Sequence, residues 1–110
     1  MDTTSDIERT PRSGDRTNVI VSSQALAAIR QLTDTEQAAI LAANHAIAEH
    51  GLASAPGIRA TLVEDAKQVY LLHMDAAPDL RMIAQQLNST MVESIDVVRA
   101  ETIHNLAHGS

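Results

Sequence analysis

The chain of 110 residues has no cysteine, no tryptophan and no phenylalanine, and Tyr70 is its only aromatic residue. Without cysteine there is no disulfide framework, no thiol nucleophile and no thiolate metal site. That usage fits a reducing compartment. With one aromatic ring, stacking platforms for single-stranded nucleic acid are nearly excluded. A basic excess is missing too: the net charge is -6, and Lys67 is the sole lysine. A generic nucleic-acid binder carries the opposite balance. Apolar runs stop far short of the roughly 20 residues of a membrane span, and the N-terminus is too polar for a signal peptide. The expectation is one soluble cytoplasmic domain with no membrane association and an aliphatic core of Ala, Leu, Ile, Val and Met.

Residues 1–18 are rich in Thr, Ser, Asp and Arg, with Pro11 and Gly14. So polar a segment buries too little surface to offset its ordering entropy, which predicts a disordered N-terminal arm ahead of a single domain at 19–110. Val19-Ile20-Val21 is a β-branched run that reads as a short strand. Ser22 and Ser23 can cap a helix carrying Ala25, Leu26, Ile29 and Leu32 at helical spacing. Thr33 and Glu36 have capping-box spacing and start a second helix, which Gly51 ends. The two helices form an antiparallel hairpin.

After a loop at 52–57, Ile58, Ala60 and Leu62 alternate with Arg59, Thr61 and Val63. Glu64 to Gln68 turns the chain into a strand from Val69 to Met74, so 58–74 is a β-hairpin. Asp75 to Asp79 turns it again. Leu80, Ile83, Ala84 and Leu87 fit a helix by spacing, yet Leu80-Arg81-Met82-Ile83 follows a strand closely enough to pair with it. The Asn88-Ser89-Thr90 turn cluster and the β-branched Ser94–Arg99 run favour strand, turn, strand over one long helix. A last helical turn falls at 102–107. The fold class is α+β, an N-terminal helical hairpin packed on a small, mainly antiparallel β-sheet. Its other face, partly exposed, carries some of Arg59, Tyr70, His73, Arg81 and Arg99.

Guanidinium groups bind phosphate oxygens in a fork, so Arg81 and Arg99 on adjacent strands would form a phosphate clamp. The bland alternative is surface salt bridging to Asp96 or Glu101. His104 or His73 can shuttle a proton near neutral pH. For His73 the competing reading is a partly buried, hydrogen-bonded histidine. His104 and His108 have the i, i+4 spacing of a helical metal pair but no third ligand nearby, so neither metal nor cofactor is expected.

The order and spacing of these pieces resemble the RelE/ParE toxin superfamily of bacterial toxin–antitoxin systems. The resemblance runs from about Val19 to Leu106. It rests on the first strand, the segment Ser22–Leu32, a second helix from Thr33, and the runs Val69-Tyr70-Leu71-Leu72, Leu80-Arg81-Met82-Ile83 and Ile95–Thr102. It implies a toxin neutralised by a cognate antitoxin protein and acting either as a ribosome-dependent mRNA endoribonuclease or on gyrase. By pattern it assigns catalytic roles to Arg81 and Arg99, with His104 as the late acid–base group. Arg59, with Tyr70 and His73, would contact substrate. Two departures stand out. Ala84 occupies a position where the family often has tyrosine, and no tyrosine follows Arg99. The alternative is a degenerate, non-catalytic protein-interaction module.

Overall fold

A computed structural model of the protein describes residues 17–103. Most of the N-terminal arm, His104 and His108 lie outside these residues. The class is α+β, built on a five-stranded mixed sheet. Strand β1 (Asn18–Val21) leads into helix α1 (Ser23–Arg30) and helix α2 (Asp34–His50). Strands β2 (Ile58–Glu64), β3 (Val69–Met74), β4 (Ala77–Asn88) and β5 (Met91–Arg99) follow as a meander. The strand order is β1-β5-β4-β3-β2. The β1–β5 pairing is parallel, because the helices carry the chain across before β2 begins; the other pairings are antiparallel.

Local chemistry accounts for the boundaries. Ser22 caps α1 by accepting a bond from the Ala25 amide at 3.0 Å, and its hydroxyl donates to the Ile95 carbonyl at 2.7 Å. One side chain thus starts the helix and ties it to β5. Thr33 and Glu36 close the capping box, each side chain accepting from the other's amide. This satisfies donors that a helix N-terminus otherwise leaves open. Gly51 ends α2 at φ 83° and ψ 162°, a conformation that a side chain disfavours.

The segment from Asp79 resolves as strand. Alternation, not helical spacing, governs it: Leu80, Met82 and Ala84 are buried, while Arg81, Ile83 and Gln85 between them are only half-buried. The preceding turn is tighter than its composition suggested, since Ala77 already pairs with Met74. At the other end of the chain, Asn18 belongs to β1 rather than to the arm. Residues 100–103 begin a helical turn.

The core lies on one face of the sheet. Ile40, Ala43 and Ile47 of α2 meet Leu72, Met74, Leu80, Met82, Ala84, Val92 and Val97 from β3, β4 and β5. Fully burying an aliphatic side chain of this size contributes about 1.5–3 kcal/mol, and no aromatic ring is needed to fill the layer. The register sets which residues share the opposite face. Thr61, Leu71 and Ile83 lie side by side there, as do Val69, Gln85, Glu93 and Ile20. No described helix is long and apolar enough to cross a membrane.

Candidate functional site

On the face away from the core, three sequence-predicted residues come together. Arg59 of β2 pairs with His73 of β3, and His73 pairs with Arg81 of β4. Neighbouring strands lie about 4.8 Å apart, so the row spans about 10 Å from first to last strand. Alternation places all three on one side, and the antiparallel register aligns them crosswise. Arg59 is exposed at the sheet edge, whereas His73 and Arg81 are half-buried.

The charges of the two arginines act on the histidine between them. His73 is held below the ordinary imidazole range, first by burial and then by the positive charges of Arg81 and Arg59. Its ring is therefore neutral at neutral pH. Arg81 is anchored from one end, with Nη1 donating to the Pro78 carbonyl at 2.8 Å and to the Leu80 carbonyl at 2.9 Å. The nearest acid on β5 by register is Asp96, opposite Ile83. Its carboxylate is turned elsewhere, accepting from Gln24 Nε2 at 2.7 Å and from the Val97 amide at 2.8 Å. Glu93 stands further along the strands, opposite Gln85. Among the described residues no carboxylate forms an ion pair with Arg59 or Arg81.

Two other candidates are on the wrong face. Leu80 is the register partner of Arg99, and Val98 that of Arg81. The two arginines therefore project from opposite sides of the sheet and form no clamp. Arg99 instead grips Glu36 in the first turn of α2, with Nη1 to Oε2 at 2.6 Å and Nη2 to Oε1 at 3.1 Å. This fork holds the Glu36 carboxyl below its usual range, with the Thr33 amide adding to the effect, and raises the Arg99 guanidinium. The salt bridge weighed for Arg99 exists, but with a helix partner rather than Asp96 or Glu101. Tyr70 faces the core side, and its hydroxyl donates to Gln68 Oε1 at 2.9 Å.

A cleft of about 380 Å³ opens at the sheet edge near β2, bordered by Leu52, Ala53, Ile58, Arg59, Ala60, Tyr70 and Gln86. Sequence reasoning missed it, and no motif marks it. Among the described residues no group of three His, Asp or Glu side chains is arranged to hold a metal ion. Comparison with known proteins found no matching family model, no matching curated protein and no matching solved structure.

What remains chemically is a row of two guanidinium groups with an imidazole between them. Two guanidiniums can hold phosphate or carboxylate oxygens in fork geometry, and a neutral imidazole between them can take a proton.

Proposed function

We propose that the chain is a RelE/ParE-like toxin-type protein of the cytoplasm that works through the bare face of its sheet. The finer architecture belongs to this reading: an N-terminal helical hairpin covering one face and leaving the other for substrate and for a cognate antitoxin. The observation that carries it is the row Arg59, His73, Arg81 across three adjacent strands. The chemistry fitting that row is cleavage of messenger RNA by its own 2′-hydroxyl. Neutral His73 takes the 2′-hydroxyl proton, a bond forms from that oxygen to phosphorus, and the bond to the 5′-oxygen breaks. The leaving oxygen is protonated by water or by the imidazolium. Arg59 and Arg81 stabilise the charge that builds on the phosphoryl oxygens. Arg99 has a structural part in this scheme. Inducing the protein alone in a bacterium should arrest growth, and Arg81→Ala should relieve the arrest. Unimpaired growth with abundant soluble protein would count against the proposal, while arrest with stalled DNA topology and intact message would point to gyrase.

One observation favours the non-catalytic alternative, an interaction module on the same scaffold. The phosphate clamp expected of Arg81 and Arg99 is not formed, and apolar Leu71 and Ile83 adjoin the cationic row. Under that reading ribosomes and message stay intact while an acidic protein segment occupies the face. A nicked message eliminates it.

A further inference from the structure

We propose that β2 is a self-pairing edge, through which two copies of the chain join antiparallel with Thr61 on the two-fold axis. This is independent of the function proposed above.

The backbone carries the argument. The Asp75 amide donates to the Gly57 carbonyl, which fixes the hydrogen-bonded positions of the β2–β3 ladder. In an antiparallel ladder such positions alternate with non-bonded ones. Arg59 and Thr61 therefore direct their amides and carbonyls toward β3, and Ala60 and Leu62 direct theirs outward along the free edge. β2 stands at the end of the strand order, and nothing among the described residues pairs with its outer side. The opposite edge, β1, is only 4 residues long and β2 is 7. An edge of this kind is a template for another strand.

The register chooses a second copy as the occupant. Related by a two-fold axis at Thr61, each Ala60 amide meets the Leu62 carbonyl of the second copy, and each Leu62 amide meets its Ala60 carbonyl. Residues of like parity fall opposite one another, so the core faces of both sheets stay on the same side. The irregularity of β2 lies at Val63, between Leu62 and Glu64, just beyond the bonded Ala60 and Leu62 positions. Leu62 is 44% exposed on the core side, and pairing sets it beside Ala60 of the second copy, at the rim of the cleft. Thr61 meets Thr61, a favourable cross-strand pair. Arg59 falls toward Val63 of the second copy, away from its own counterpart, so no like charges stand opposite. The general repulsion between two chains of charge -6 opposes the pairing and is weakened by salt.

Sedimentation equilibrium of the full chain over a range of concentrations tests this. The expected result is conversion from 11.8 kDa to twice that mass, at lower concentration as salt is added. Ala60→Pro removes an outward amide and leaves the inward ladder whole, so it should keep the parent's circular dichroism and stay monomeric. In a chain free of cysteine, Thr61→Cys should cross-link to a dimer on oxidation, because non-bonded antiparallel partners have Cα atoms about 4.5 Å apart, within disulfide range. A chain that remains at 11.8 kDa throughout, an Ala60→Pro variant that dimerises like the parent, or a Thr61→Cys variant that never cross-links would overturn the proposal.

Discussion

Replacing Ser94 by alanine should make the protein more stable. Ser94 lies in β5, 1% exposed, between Val21 of β1 and Ala84 of β4 in the register. Its carbonyl accepts from the Ser22 amide at 3.0 Å. Its hydroxyl has no hydrogen-bond partner among the described residues. A buried hydroxyl without a partner costs about 1–3 kcal/mol of desolvation. Removing one oxygen gives back part of that as a small void, which leaves a net gain of about 1 kcal/mol. In a domain this small, 1 kcal/mol moves the thermal midpoint by about 4–8 °C. In urea the midpoint should rise by about 0.5 M with an unchanged slope, since the slope follows exposed area and one oxygen hardly alters it. Ser94→Val is the counter-test. It adds bulk where β1, β4 and β5 converge and should cost about 1–3 kcal/mol from overpacking. If Ser94→Ala instead lowers the midpoint by a similar amount, the hydroxyl is satisfied and the reasoning fails.

Three further outcomes follow from named contacts. The Glu36 carboxyl is held low in the fold, so its contribution is complete above the unfolded carboxylate range and is lost as pH falls through the folded value. Arg99→Ala should flatten that acid limb in urea titrations at a series of pH values. His73 is also held low, from an ordinary 6.5, so it contributes fully above that value and destabilises as pH drops below it. Arg81→Ala should raise the imidazole's midpoint, followed by NMR, but only part of the way, because burial is the larger cause. Gly51→Ala should cost about 1–3 kcal/mol in thermal unfolding despite open space at the site, because φ 83° is the obstacle.

Local features of this fold were legible in the sequence, and relations across strands were not. Ser22, the Thr33–Glu36 box and Gly51 announce helix ends, because each acts within a few residues of itself. The choice of strand after Asp79 was also legible, from the turn cluster at 88–90 and the β-branched run beyond it. The faces of the arginines were not. What sets them is the pairing of β4 with β5: Leu80 lies opposite Arg99 and Val98 opposite Arg81, so the two arginines, both credible for one clamp, emerge on opposite faces. That register is a relation between two strands, and no local pattern within either one reveals it. Arg59 and His73, both expected to contact substrate, are adjacent because the β2–β3 hairpin aligns them. Tyr70 was separable from His73 by alternation alone.

The central claim is that Arg59, His73 and Arg81 form the working row of the bare face. It is tested most directly by incubating the purified protein with ribosomes and an end-labelled message, then resolving the RNA on a denaturing gel. The account predicts discrete cleavage by the parent, loss of it in His73→Ala and in Arg81→Ala, and cleavage retained in Arg99→Ala at a temperature where that variant is folded. An intact message with the parent, or cleavage that survives both His73→Ala and Arg81→Ala, would contradict it.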